Sequence, residues 1–469
     1  MKINPQRKDV VINLLWKLFE RVGAQIVTLI VSIILARSLL PDDFGLIALI
    51  TIFITISNVF IQSGLGTALI QKKSSDSIDF STVFFVSLSI ATLIYIILFL
   101  VAPFIASFFN LPELKNILRV LSLTLFPFSF NSIQNAYVIK TMQFKKMFVC
   151  NITSSIISGI IGIVMALLNF GAWALVGQQL SSSIIVCLLM WFTVKWRPRL
   201  TFSLERLKSL FSFGWKLLLS SLINTLYNEL YSLIIGKKYT SEILGYFNRG
   251  KQFPSLIVSN IDSAIQTVML PVYSSSQDNQ QRLKQMMRRS IVVSSFIIFP
   301  AMAGLAAVAE SLISFVLTDK WLPAVPFLQI YCLFYAFQPI QTANLQTYNA
   351  IGRSDIFLKL EIIKKSIGLL ILSVSIFFGI YAIAIGAAIS SVINTLINAY
   401  PNIKLLNYSY MEQLKDILPS LLLSIIMGVV VYCVQFLELN NLSTLVLQIV
   451  IGLSIYSSGA YIFKLESFK

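Results

Sequence analysis

Leu14 to Ser38, LLWKLFERVGAQIVTLIVSIILARS, is long enough to cross a bilayer although it carries Lys17, Glu20, Arg21 and Arg37. A spanning helix needs roughly 20 mostly apolar residues at about 1.5 Å each. On a helix, Lys17, Arg21, Gln25, Thr28 and Ser32 share one face, and Leu, Ile and Val fill the other. A charge turned to lipid costs at least about 2.5 kcal/mol, so this polar stripe is expected to face a watery cavity or other helices. The stretch predicts an all-α integral membrane protein with a basic cavity.

The pattern returns in Phe213 to Tyr239, FGWKLLLSSLINTLYNELYSLIIGKKY, where Trp215-Lys216 stands 199 positions after Trp16-Lys17. The stripe maps onto Lys216, Ser220, Asn224, Tyr227 and Tyr231. Phe44-Gly45-Leu46 meets Leu244-Gly245-Tyr246 at an offset of 200, and Phe170-Gly171-Ala172-Trp173-Ala174 resembles Phe378-Gly379-Ile380-Tyr381-Ala382 at 208. Weak internal similarity of this kind is what a duplicated transporter leaves in its sequence.

Composition agrees. Of 469 residues, 57% are hydrophobic and only 12% charged, about half the charge of an ordinary soluble domain, and the mean hydropathy is +0.81. The net charge of +16 does not gather into a basic patch with interleaved aromatics, so no nucleic-acid partner is expected.

Apolar periodicity predicts about fourteen spans, near 13–38, 44–71, 80–109, 115–139, 148–168, 172–194, 210–235, 243–273, 290–317, 324–350, 356–379, 382–403, 417–437 and 442–463. With a cytoplasmic N-terminus, the cytoplasmic connections and ends hold 23 Lys and Arg against six outside. That bias places both termini in the cytoplasm. Met1 to Val10 is basic but leads into a long charged helix, so no removable signal peptide is expected. The expected organisation is an N-terminal six-helix lobe with a basic connecting loop (1–209), a second six-helix lobe (210–410) related to it as a parallel repeat, and two extra helices (411–469).

Little covalent chemistry is available. The chain has no histidine, which removes Ser-His and Cys-His catalysis, histidine metal sites and histidine proton relays. Cys150, Cys187, Cys332 and Cys433 lie in apolar segments without zinc spacing and read as core residues. Asp42-Asp43, the adjacent acidic pair, reads as a turn and helix N-terminus. No metal or cofactor is expected.

Polar faces recur on two further spans. Thr51, Thr55, Asn58 and Gln62 form a stripe, matched 200 positions later by Lys251, Ser255, Val258 and Asp262. The later span adds Arg249, Gln252, Ser259, Ser263 and Gln266, with Pro254 as an expected kink. Snorkelling to headgroups is the plainer reading of such cations near helix ends, above all for Lys17. Adjacent Lys364 and Lys365 are expected at headgroups or in the cytoplasm. Glu20, Glu229, Asp262 and Glu361 can neutralise the cations or couple transport to an ion.

The stretches WKLFERVGAQ, ARSLLPDDFGLIAL and IQSGLGTALIQKK, followed by the basic KTMQFKKMF, resemble the Wzx-type polysaccharide-unit flippases. These belong to the multidrug/oligosaccharidyl-lipid/polysaccharide exporter superfamily, and the nearest branch is the colanic-acid and teichuronic-acid exporters. Arg37, Asp43, Phe44, Gly45, Gly64, Gly66 and Gln71 carry the likeness, which covers essentially the whole chain. The resemblance implies two six-helix lobes alternating between inward-open and outward-open states. It also implies a cationic cavity for an undecaprenyl-diphosphate-linked oligosaccharide in a bacterial cytoplasmic membrane. By similarity, Arg21 and Arg249 would bind the diphosphate. Lys17, Lys216, Lys251, Gln25 and Asn224 would join them around phosphate and sugar, with membrane lipid holding the tail. A polymerase and glycosyltransferases of the same pathway are the candidate partners.

Two other classes compete. A cation-coupled drug antiporter of the same fold would depend on Glu20 and Glu229 more than on the arginines. A membrane glycosyl polymerase or ligase would expose a large catalytic outer loop, and none is present in the sequence.

Overall fold

A computed structural model describes residues 7–72, 75–274, 279–437 and 439–468, apart from the side chains of 7–15, 17–22, 264, 267, 268, 270, 271 and 354. The described residues form eighteen α-helices joined by short turns and 3-10 segments. They are α1 (Arg7–Ser38), α2 (Pro41–Gln62), α3 (Leu65–Gln71), α4 (Ser77–Phe109), α5 (Pro112–Leu121), α6 (Leu125–Lys140), α7 (Phe144–Leu167), α8 (Ala172–Thr193) and α9 (Leu204–Lys238). The chain continues as α10 (Ser241–Ser274), α11 (Gln280–Ala307), α12 (Ala309–Leu317), α13 (Val325–Ala336), α14 (Gln338–Ala350), α15 (Ser354–Ser375), α16 (Ile380–Leu405), α17 (Tyr410–Cys433) and α18 (Asn441–Ile462).

Eight segments, containing α2, α4, α7, α8, α11, α16, α17 and α18, are long and apolar enough to cross a membrane by themselves. The shortfall from the expected fourteen has local causes. Residues 115–139 divide into α5 and α6 at a 3-10 turn over Ser122–Thr124, and 324–350 divide at Phe337 into α13 and α14. The helices α1, α9, α10 and α15 carry charged side chains through their length. The helix α10 runs through Pro254 to Ser274. Large apolar side chains such as Phe104, Phe192, Leu370 and Phe377 are more than half exposed, as a lipid-facing surface requires.

The chain divides into two compact units, residues 1–245 and 246–469. In the first, α7 packs along both α1 and α8. Glycines let the backbones approach: a Cβ on Gly159 would stand 2.4 Å from Val31 Cγ2, and one on Gly162 would stand 2.7 Å from Gln178 Cβ. Small residues at helix contacts are the usual packing device where lipid removes the hydrophobic drive between helices. The helix α9 also belongs to this unit and lies against α2, α3 and α4.

The acidic pair at 42–43 sits at the start of α2, as expected. The Leu40 N–H donates to Asp43 Oδ2 at 2.9 Å, and Ser241 Oγ donates to Asp42. That second bond fixes the start of α10 against the start of α2. A Cβ on Gly45 would stand 1.7 Å from the Ser241 carbonyl oxygen, and one on Gly245 2.1 Å from the Pro41 carbonyl oxygen. Positions 41 and 45 thus meet positions 241 and 245 reciprocally.

A charged cluster fixes the segment leading into α9. Asp79 is fully buried and accepts from Lys72 Nζ at 2.8 Å and from Arg206 Nη1 at 3.3 Å. Lys140 Nζ caps the nearby carbonyls of Leu69 (3.0 Å) and Lys72 (2.6 Å). The N–H groups of Arg199 and Ser203 donate to Ser81 Oγ (3.0 Å) and Thr82 Oγ1 (3.2 Å), while Trp196 packs on Phe80 and Tyr137. The connecting segment is therefore strapped to α4. Asp79→Ala removes the carboxylate that Lys72 and Arg206 share and is expected to cost about 3 kcal/mol, read as a lowered unfolding midpoint in detergent. The hydrogen bond from Arg206 holds the Asp76 carboxyl below its ordinary range near 3.8. Its stabilising effect is present above that value and fades as the pH falls below it.

In the second unit, α17 packs along α11, and α18 packs on α17 and α12. Arg288 of α11 pairs with Asp416 (2.9 Å) and Glu466 (2.6 Å), and Lys284 pairs with Glu412 (3.1 Å). The last two helices are thus docked through apolar contact along their length and ion pairs at one end. Lys364, expected at a headgroup, is instead buried and paired with Glu361.

Candidate functional site

The polar stripes give each unit its own set of candidate side chains. In the first unit, Gln25 of α1 is half-buried and Thr28 is exposed. Lys17, Glu20 and Arg21 lie on the same helix, with side chains outside the described residues. On α9, Lys216, Ser220 and Asn224 are exposed, and Tyr227, Glu229 and Tyr231 are half-buried. The stripe therefore survives folding along α9, with its cationic end open. The neighbouring Gly214 is where α9 meets the turn after α2: a Cβ on Gly64 would stand 2.3 Å from the Gly214 carbonyl oxygen.

In the second unit, the stripe on α10 faces an aromatic and polar wall that periodicity did not reveal. Arg249 is only 5% exposed; its Nη1 donates to Gln252 Oε1 at 2.6 Å, and its guanidinium lies 5.1 Å from the Trp321 ring centre. Lys251 Nζ stands 6.0 Å from the Tyr331 ring centre. Such placement over aromatic faces partly compensates the lost hydration of a cation. Gly250 allows the approach, because a Cβ there would stand 2.7 Å from Phe327 Cβ and 2.9 Å from the Ala324 carbonyl oxygen. Farther along, Asp262 is 5% exposed and faces Thr342 and Gln338 of α14.

Lys251 and Asp262, eleven residues apart, therefore share one face of α10, and Arg249 meets Trp321 from another. Trp321, Tyr331, Gln338 and Thr342, the partners on these faces, were missed. Their trace in the sequence is the Tyr331–Tyr335 and Gln338–Thr342 spacing of four, one helical face of an otherwise apolar segment. The arrangement sets two cations and a carboxylate of α10 among aromatic and hydrogen-bonding side chains. Among the described residues, no group of His, Cys, Asp and Glu is placed to hold a metal ion.

A model of the family described as polysaccharide biosynthesis protein matches residues 34–326. The chain is similar to the succinoglycan biosynthesis transport protein ExoT of Rhizobium meliloti (strain 1021), 26% identical over 70% of this chain and 66% of that protein, just under two thirds of its length. It is also similar to the teichuronic acid biosynthesis protein TuaB of Bacillus subtilis (strain 168), 25% identical over 81% of this chain and 79% of that protein. Its fold matches that of the lipid II flippase MurJ in an inward closed conformation, with a TM-score of 0.80, 18% identity, and coverage of 96% of this chain and 98% of that one.

Proposed function

The chain belongs to the polysaccharide biosynthesis protein family, and on that footing we propose that it is a flippase. Its cargo is an undecaprenyl-diphosphate-linked oligosaccharide repeat unit, moved across the bacterial cytoplasmic membrane by alternating access for surface polysaccharide assembly. The observation that carries the reading is cations and hydrogen-bonding side chains together on two helices, Lys216 and Asn224 on α9 and Arg249 and Lys251 on α10, in a chain whose relatives are named for polysaccharide transport and biosynthesis.

In this reading, α2 with α3, α5 with α6, α11 with α12, and α13 with α14 each make one crossing, and the remaining helices one each, giving fourteen. The boundaries of the two lobes and the final pair fall near residues 209 and 410, and both termini are cytoplasmic. A diphosphate presents about two negative charges and several acceptor oxygens, which guanidinium groups meet as paired, charge-assisted donors. Arg21 and Arg249 take that role, with Lys17, Lys216 and Lys251 adding charge and Gln25 and Asn224 meeting sugar hydroxyls. Glu20, Glu229 and Asp262 neutralise these cations or couple transport to an ion. No bond in the cargo is made or broken. A polymerase and glycosyltransferases of the pathway act on the same lipid before and after it crosses.

The names of both relatives favour this reading over a drug antiporter. In cells lacking the gene, lipid-linked oligosaccharide should accumulate on the cytoplasmic side, and the intact gene should restore surface polysaccharide. Unchanged surface polysaccharide in the deletion strain would reject the proposal.

A further inference from the structure

In the first unit, the apolar segment 44–71 is broken in mid-course. The helix α2 ends at Gln62, Ser63 (φ 48°) and Gly64 (φ 66°) take left-handed conformations, and α3 begins at Leu65. A break in an apolar helical run frees backbone groups that need protein or a polar cavity to cover them. Beside this break lies a cavity of about 460 Å³, within the size range of small-molecule sites. It is walled by the α2–α3 turn and by parts of α6, α8 and α9.

The chemistry of the wall is distinctive. Gln62, Thr67, Asn131, Ser132, Asn135 and Ser221 line it, and none of its lining residues is charged. Asn131 is 9% exposed and its Oδ1 has no hydrogen-bond partner. An unsatisfied buried amide oxygen is costly, and with the other amides and hydroxyls this wall suits a ligand rich in donors and acceptors. A phosphate would want cations and a cationic drug a carboxylate, and the wall has neither. Phe128 offers an aromatic face of the kind that packs against the C–H face of a sugar ring.

We propose that this cavity is a carbohydrate subsite, binding an uncharged part of the oligosaccharide. The proposal rests on the flippase reading for its source of glycan.

Two variants test it. A Cβ on Gly66, a lining residue inside α3, would meet nothing within 4 Å, so Gly66→Phe should fill the cavity without disturbing the packing. Asn131→Leu replaces the unpaired amide with an apolar group of similar volume. Binding to the purified proteins is measured for two probes: the free oligosaccharide released by mild acid from the lipid-linked fraction of the producing cells, and undecaprenyl diphosphate without sugar. The wild type should bind the free oligosaccharide, and either folded variant should bind it at least about tenfold more weakly. Affinity for undecaprenyl diphosphate should stay within about twofold. Failure of the wild type to bind the free oligosaccharide would show a cavity holding water only and overturn the subsite, as would variants that bind it equally well or lose both probes alike. Failure of the wild type to bind undecaprenyl diphosphate alone counts against the diphosphate reading and leaves the oligosaccharide result to decide the subsite.

Discussion

Arg249→Ala is expected to abolish transport while the protein still reaches the membrane. The guanidinium is held by Gln252 and lies over Trp321, both neutral. Loss of two charge-assisted hydrogen bonds to a diphosphate should weaken binding by roughly 3 kcal/mol or more, about a hundredfold. Arg249→Lys should recover only part of the activity, since a lysine presents a point charge and not a paired fork of donors. Flux of lipid-linked oligosaccharide, normalised to the amount of inserted protein, measures both. Full activity in the alanine variant would assign Arg249 to the packing of its own unit.

The second large effect concerns the crossing of α2 and α10 within the first unit. An alanine at 45 places its methyl carbon 1.7 Å from a carbonyl oxygen, and an alanine at 245 places it at 2.1 Å, so backbone must move in either case. No side-chain rotation relieves such a clash. Either substitution should destabilise by about 3 kcal/mol, the upper end of ordinary overpacking, and Gly66→Ala, which points into open space, should not. Unfolding midpoints of the three variants in one detergent decide the matter. Equal midpoints for Gly45→Ala and the wild type would mean that the helices do not cross as described.

The same glycines show what sequence could and could not convey. Phe44-Gly45 and Leu244-Gly245 were legible as a repeat because an offset of 200 is a property of the string. That the two sites touch each other is not, since contact depends on how distant helices cross. The apolar runs marked the helices, yet the interruption at Ser63-Gly64 and the division at Phe337 left the runs intact, because a turn buried in a membrane protein need not be polar. Of the candidate site, Lys216, Ser220 and Asn224 of the α9 stripe are exposed. Arg249 was legible as a cation on a helical stripe, but its aromatic partner Trp321 stands 72 positions away, beyond the reach of helical periodicity. Asp79 gave no warning either: the cations paired with it come from two other segments, at 72 and 206.

The central claim is that this chain moves an anionic lipid-linked glycan outward. An inside-negative potential favours outward movement of negative charge by about 2.3 kcal/mol per charge per 100 mV, so a diphosphate with about two charges could gain close to 5 kcal/mol over the whole field. If the binding cations stay near mid-membrane while access switches, the field acts mostly on the cargo, and potential alone should drive net flux. The direct measurement is flipping of undecaprenyl-diphosphate-linked oligosaccharide in vesicles holding the purified protein, under an imposed potassium-diffusion potential with no sodium or proton gradient. The predicted result is outward flux that requires the protein and rises with inside-negative voltage; flux no greater than in protein-free vesicles at every voltage would contradict it.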